Sequence, residues 1–323
     1  MNSKYCPRCN CITEVIRFGV TSSGRQRYRC KSCGGTWTNK PRPKRLEEQI
    51  WHDFVWNNIP VRALANKYRK HPNTIRNMLH NYQPEPINLQ KLSQQEKENI
   101  TVIAMDTTYF GRLHGVVVAV DTIKGTLLYF KEIFGSETNR DYEQCIDAIL
   151  VAGIKPKACV IDGRQGVKHI LEARGILVQL CQFHMKLMTK KYLTNNPILE
   201  PNIELKIIVD SLCHKHISMD EKKFYSMFVN WYARHKSWLL ERTYNEETHR
   251  REYSHQDTRS AFIAIKNHLD ILFTYEHYPE LNIPRTSNRI EGAFGTAKNK
   301  LRIHHGYTKS LKIKIFFSLL SGE

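Results

Sequence analysis

Two kinds of residue in this 323-residue chain have types and spacing suited to chemistry. The first is sulfur. Cys6-Pro7-Arg8-Cys9 and Cys30-Lys31-Ser32-Cys33 are C-x2-C knuckles flanking a stretch that holds Gly19, Gly24 and the strand formers Val15, Ile16, Phe18, Tyr28 and Trp37. Each knuckle offers two thiolates to one ion, and a hairpin that joins the knuckles completes a closed tetrahedral site for one structural Zn2+. Unrelated thiols or a redox pair are the competing explanation, and Cys11 stands outside the pattern. The second is carboxylate. Ile103-Ala104-Met105-Asp106 and Cys159-Val160-Ile161-Asp162 each end an apolar run in an acid. Ionising a carboxylate there is costly unless a cation sits beside it, so a divalent metal is a physical reason for both. For either acid taken singly, capping a helix or turn is the alternative. Two hard cations need a third oxygen donor, and Glu291 offers one. It sits in Thr286-Ser287-Asn288-Arg289-Ile290-Glu291-Gly292-Ala293-Phe294, where Ser287 or Asn288 can cap a helix that carries the glutamate in its first turn. Alone, such a glutamate is an ordinary dipole or capping partner.

The elements that must position the acids follow from the hydrophobic periods. Residues 101–105, 115–120 and 126–130 read as three short strand-forming runs, which suggests an antiparallel meander. A helix over 140–151, a strand over 158–161, a helix over 167–173 and a strand over 176–180 follow. Three strands and then alternating helices and strands is the order of an RNase H-like α/β core, here spanning 99–323. Between about 186 and 285 the pattern turns helical, with Phe224, Met227, Phe228, Trp231 and Tyr232, then Trp238, Leu239 and Leu240, and little strand character. That stretch is expected to be helical. Ile315-Phe316-Phe317-Ser318-Leu319-Leu320 reads as a closing core helix or as a shortened tail.

Ahead of this core the chain divides into a zinc ribbon (1–38), a basic proline-bearing linker (39–45), a helical module (46–83) and a second linker (84–98). In the module, Leu46, Ile50, Phe54 and Val55 line one helix, Asn58-Ile59-Pro60 breaks it, and Val61, Leu64, Ala65 and Tyr68 line a second. Pro72 opens a third, with Ile75, Met78 and Leu79 inward and Asn73, Thr74, Arg76, Asn77 and His80 outward, as in a helix-turn-helix that reads the major groove. A helical linker bundle with a polar face is the alternative. Lys and Arg outnumber Asp and Glu by 49 to 31, a net charge of +18 that favours a polyanionic partner such as double-stranded DNA. The basic run Lys298, Lys300, Arg302, His304 and His305 after Glu291 can follow a DNA backbone, and Arg8, Arg17, Arg25, Arg27, Arg29 and Lys31 make the ribbon basic. A run of apolar residues long enough to span a membrane is absent, as is an apolar leader, so a reducing cytoplasmic setting is expected.

Four segments resemble the bacterial insertion-sequence transposases related to the Mutator-like elements. They are Met105-Asp106-Thr107-Thr108-Tyr109-Phe110, Ile161-Asp162-Gly163-Arg164-Gln165-Gly166, Cys181-Gln182-Phe183-His184 and Asn288-Arg289-Ile290-Glu291-Gly292. The resemblance implies a DDE triad of Asp106, Asp162 and Glu291 holding two Mg2+ or Mn2+ ions, and a helical insertion within the core between Asp162 and Glu291. It implies cleavage and strand transfer at DNA terminal repeats and target DNA, an oligomer of at least two copies on DNA, and association with the nucleoid. Cys181 and His184 match that family's C-x2-H signature, which implies that His184 orients the scissile phosphate; a buried thiol with a structural histidine, or a second zinc site, are the alternatives. A junction or repair nuclease on the same core, and a non-catalytic DNA-binding regulator, remain as competing functions.

Overall fold

A short basic segment with few apolar residues and a long one with many should fold separately, and the computed structural model divides into Met1–Gln83 and Pro84–Glu323. It describes residues 3–6, 8–9, 11–21, 26–38, 44–213, 219–303 and 306–322. The first unit opens with an antiparallel sheet, β1 (Ser3–Tyr5), β2 (Ile12–Val20), β3 (Gln26–Cys30) and β4 (Thr36–Thr38), in sequential order. Strand alternation ought to bury one face, yet Ile12, Phe18 and Val20 are 79%, 41% and 64% exposed. Among the described residues of the ribbon, those buried are instead Cys6, Cys30 and Gly35. Of the expected linker, residues 39–43 lie outside the described residues, and Lys44 already opens α1 (Lys44–Val55). Helices α2 (Val61–Lys67) and α3 (Pro72–Asn81) complete the module, burying Ile50, Trp51, Phe54, Leu64, Ile75 and Leu79. Asn58 turns the chain after α1 at φ 52°, and the His71 side chain accepts from Asn73 N–H at the start of α3. A buried carboxylate ties α1 to α2: Asp53 accepts from Lys67 Nζ (2.6 Å), Tyr68 Oη (2.7 Å) and Asn57 Nδ2 (2.9 Å).

In the second unit, the stretch expected to be a linker ends in a short helix, α4 (Gln94–Asn99), because Ser93 and Glu96 form a reciprocal capping box. The sheet comprises β5 (Val102–Tyr109), β6 (His114–Asp121), β7 (Leu127–Phe134), β8 (Ala158–Ile161) and β9 (Leu177–Leu180), with α5 (Asn139–Val151) before β8 and α6 (Gln165–Glu172) before β9. Its order is β7-β6-β5-β8-β9, antiparallel through the first three and parallel from β5 to β9. This is a mixed α/β sheet of RNase H-like topology. Helices α7 (Gln182–Leu193), α8 (Glu200–Asp210) and α9 (Glu221–Leu240) follow, then a hairpin, β10 (Arg242–Asn245) and β11 (Arg250–Tyr253). The hairpin departs from the all-helical expectation; its side chains are exposed or half-buried, so no alternation of apolar residues announced it. Helices α10 (Gln256–Lys266), α11 (Leu269–Leu272), α12 (Thr274–His277), α13 (Asn288–Ile303) and α14 (Lys309–Ser321) close the chain. Phe224, Phe228, Trp231 and Phe273 are buried among the inserted helices, and the Trp231 indole donates to Pro201 O at 2.9 Å. The segment near the C-terminal end is a packed core helix: Phe316 of α14 lies 4.9 Å from Phe110 and 5.6 Å from Phe294.

Candidate active site

The register of the parallel strands sets the site. Ala104 of β5 lies opposite Val160 of β8, so two residues further along each path Asp106 comes level with Asp162. Ile161 lies opposite Leu180 of β9, and Cys181 N–H continues the ladder to Ile161 O at 2.9 Å, which brings Cys181 level with Asp162. Residues level in a parallel ladder share a face, about 4.8 Å apart from strand to strand. Asp106, Asp162 and Cys181 therefore form a row across three neighbouring strands, directly after the last residues of β8 and β9 but within β5, which runs on to Tyr109 rather than ending at the acid as the sequence suggested. One turn into the following helix, His184 stands three residues beyond Cys181 at the head of α7.

Glu291 arrives from far along the chain on α13. Gln182 N–H donates to Arg285 O at 2.9 Å, and Arg289 Nη1 donates to Thr122 O at 3.0 Å and to Ile123 O, clamping the start of α13 to the head of α7 and to the β6–β7 turn. Ser287 Oγ donates to Glu291 Oε1 at 2.6 Å and lies 3.2 Å from Cys181 Sγ, to which Ser287 N–H also donates at 3.3 Å. His184 Nδ1 is 3.6 Å from the same carboxylate oxygen and Cys181 Sγ is 4.0 Å from it. The close cluster of ligand atoms is thus Cys181, His184 and Glu291, all within 4.8 Å of one another; Asp106 and Asp162 stand beside that cluster rather than in it.

Burial governs the charges. Asp106 is only 9% exposed, and desolvation pushes its carboxyl up to about 7; Asp162 and Glu291 add to this, while His184 and the Thr107 N–H (2.7 Å) oppose it. Burial alone would discharge His184, but Cys181, Asp106 and Glu291 outweigh it and hold the imidazole up at about 9. The Cys181 thiol, which burial would raise, is held below its usual value by His184 and Ser287. His184 therefore stands as an imidazolium beside the acids. A carboxylate that burial leaves half-protonated near neutrality, with two more acids around it, fits a divalent cation, since the ion restores the charged form.

Several supporting residues escaped the sequence. Arg164 donates through Nε to Asn139 Oδ1 (2.9 Å) and through Nη2 to Glu137 O (3.0 Å); Tyr142 Oη lies 2.9 Å from Thr107 Oγ1 and donates to Glu137 Oε2 at 3.0 Å. This chain of contacts braces the residue after Asp106 against the turn after Asp162. In that turn Gly163 has φ +99°, and a Cβ there would sit 2.8 Å from Leu180 Cδ1, so glycine alone fits. Buried His268 grips the same turn, its Nε2 at 2.9 Å from Gly163 O and its Nδ1 at 2.7 Å from Ala264 O. Arg164 N–H also donates to Asp162 Oδ1 at 3.3 Å, so Asp162 caps its turn as well as facing the row. Lys298, expected along a DNA backbone, is half-buried: desolvation lowers its ammonium, with Asp106 acting in the opposite direction. Arg302 is exposed, while His304 and His305 lie outside the described residues.

In the first unit, Cys6 Sγ lies 3.7 Å from Cys33 Sγ and Cys9 Sγ lies 3.9 Å from Cys30 Sγ, and all four sulfurs fall within 4.8 Å of one another. Zn–S bonds of about 2.3 Å in a tetrahedron give S···S edges of about 3.8 Å, so the donor set fits zinc. The Cys33 N–H donates to Cys30 Sγ at 3.4 Å and leads the causes that bring Cys30 down to about 6. Cys11 is exposed and donates instead to Cys9 O. On α3, Asn73, Thr74, Arg76, Asn77 and His80 are exposed while Ile75 and Leu79 are buried and Met78 is half-buried. Arg25 of the basic ribbon lies outside the described residues. No helix among the described residues is long and apolar enough to cross a membrane.

No family model matches the chain. A curated protein, type-2 histone deacetylase 1 of Dictyostelium discoideum, is 34% identical over 76 residues, covering 20% of this chain and only 5% of that protein. Among solved structures, the Drosophila P element transposase strand transfer complex is similar at 11% identity and TM-score 0.44, covering 90% of this chain and 94% of that one. A simian T-cell lymphotropic virus intasome in complex with PP2A regulatory subunit B56 gamma aligns at 15% identity and TM-score 0.23, over 53% and 70% of the two chains. A pre-cleavage Mos1 transpososome aligns at 10% identity and TM-score 0.20, over 72% and 78%. Likenesses this loose carry no functional weight, and the chemistry has to come from the site.

Proposed function

We propose that this chain is a DDE transposase that binds the terminal repeats of an element and cleaves and joins DNA. The observation that carries the reading is the register that sets Asp106 of β5 level with Asp162, the residue after β8, with Glu291 delivered beside them by α13. Asp106, Asp162 and Glu291 would hold two Mg2+ or Mn2+ ions, which when bound activate water or a 3′-hydroxyl and stabilise the leaving oxygen. His184, positively charged among the acids, attracts the scissile phosphodiester and orients it. The half-buried Lys298 adds a second cation on the same side. Ser287 holds Glu291 beside Cys181.

The exposed face of α3 (Asn73, Thr74, Arg76, Asn77 and His80) reads base edges, and the ribbon, with one Zn2+ held by Cys6, Cys9, Cys30 and Cys33, adds phosphate contacts. Sequence specificity then resides in the first unit and chemistry in the second. Two DNA ends need two active sites, so the working form is a dimer or larger assembly on DNA, in the cytoplasm with the nucleoid. The test is Mg2+- or Mn2+-dependent cleavage and joining on DNA carrying the element's ends, with wild type beside Asp106→Ala, Asp162→Ala and Glu291→Ala. Cleaved and joined products from wild type, lost in all three variants while DNA binding persists, are expected. Cleavage without joining would make the chain a nuclease, and tight binding with no cleavage in either metal would make it a regulator.

A further inference from the structure

Magnesium and manganese take oxygen donors, yet the tightest cluster of ligand atoms beside the paired aspartates mixes sulfur, nitrogen and oxygen. Cys181 precedes α7 and His184 lies in its first turn, so the C-x2-H spacing puts thiol and imidazole on one side of the helix start. The Glu291 oxygen that completes the cluster lies 4.0 Å from the thiol and 3.6 Å from Nδ1. Tetrahedral zinc with Zn–S of about 2.3 Å and Zn–N and Zn–O of about 2.0 Å requires edges of about 3.5 and 3.3 Å, so the two edges to Glu291 would close by about 0.5 and 0.3 Å. The Nδ1 atom is buried and has no hydrogen-bond partner among the described residues. Cys181 is fully buried, and the Ser287 N–H donates to its sulfur, the outer-sphere support that a metal thiolate needs, while the Ser287 hydroxyl that donates to Glu291 lies 3.2 Å from the same sulfur. His184 and Glu291 are 22% and 26% exposed, which leaves solvent access for a fourth ligand.

We infer that Cys181, His184 and Glu291 form a second zinc site, separate from the four-cysteine cluster, with water as the fourth ligand. Occupancy engages Glu291 in a soft-metal site and withdraws it from Asp106 and Asp162. The site thereby makes the phosphoryl-transfer chemistry sensitive to free zinc, a consequence that rests on the transposase reading, whereas zinc binding itself does not.

The test counts metal. Full-length protein is titrated with Zn2+ by calorimetry, and bound zinc is measured by elemental analysis after removal of excess, for wild type, Cys181→Ser, His184→Asn and Ser287→Ala, with circular dichroism to confirm folding. Wild type is expected to bind two zinc ions per chain. His184→Asn and Cys181→Ser should each hold one, and Ser287→Ala should hold the second about tenfold more weakly. Should Cys181→Ser fail to fold, the exposed-side variant His184→Asn still decides. A single zinc in wild type, or a second that survives both ligand substitutions, overturns the inference. Because counting needs no DNA, a chain that binds two zinc ions but never cuts keeps this site and loses the transposase reading; one that cuts yet holds a single zinc loses only this site.

Discussion

The two clusters of metal-type ligands are built in opposite ways. The four thiols of the ribbon come from two knuckles within one small sheet whose apolar side chains Ile12, Phe18 and Val20 remain largely exposed. The acids come from β5, the residue after β8 and α13, the first two carried by strands whose valines and isoleucines are buried. In the first region the ligands and their ion would make the fold; in the second the fold makes the ligand set. A site of the first kind fails by unfolding, whereas one of the second kind fails by losing chemistry while its scaffold stands.

Substitutions can break that contrast. The largest effect belongs to the ribbon: Cys30→Ser should remove most of the metal's contribution, about 10–16 kcal/mol in apparent terms for structural zinc. Hydrogen exchange should then show residues 3–38 unprotected while β5 to β9 keep their protection. Loss of protection in both regions would erase the distinction. Asp106→Asn should act in the other direction. Its carboxyl, raised by burial to about 7, binds a proton more tightly folded than unfolded, so stability without Mg2+ or Mn2+ falls as pH climbs from about 4 to 7 and is level above that. The substitution should therefore stabilise the metal-free protein at pH 8, by up to about 4 kcal/mol, and flatten this part of the pH profile in denaturant melts. A destabilised Asp106→Asn would mean the carboxylate supports the fold.

Smaller effects sharpen the picture inside the first unit. Asp53→Asn should cost about 1–3 kcal/mol in the melting of α1 to α3, because it weakens three buried hydrogen bonds. Burial opposes its charge, but Lys67, Tyr68 and Asn57 outweigh burial and hold it down at about 2. Its stabilisation is therefore present above about pH 4 and disappears as pH falls through 2. Least of all, Arg76→Ala on the exposed face of α3 should move stability by less than about 0.5 kcal/mol. The same change should weaken binding to cognate DNA ends by about 1–3 kcal/mol in a titration at fixed salt.

Much of the scaffold was legible because it rests on local periods. The apolar tetrads ending in Asp106 and Asp162 state both strands, although β5 runs on past Asp106 to Tyr109, and the paired knuckles state the ribbon. What sequence alone withheld depends on distant contacts between polar groups. Glu291 meets Cys181 across 110 positions through Ser287, a residue read only as a possible cap. Buried His268 holds the turn at Gly163 from 105 positions away, with no periodic signal to mark it. Lys298 lay in a run of cations that reads as uniformly solvated, and only the packing of α13 sets it apart from Arg302. The β10–β11 hairpin was missed because an exposed polar ribbon leaves no alternation to read.

The most direct test of the central claim is a crystal of the full chain with bound DNA ends and Mn2+, with anomalous scattering used to locate the ions. Manganese held between Asp106 and Asp162 with Glu291 turned toward them is the predicted result. Anomalous density confined to the four-cysteine cluster, with the two aspartates bare, would contradict it.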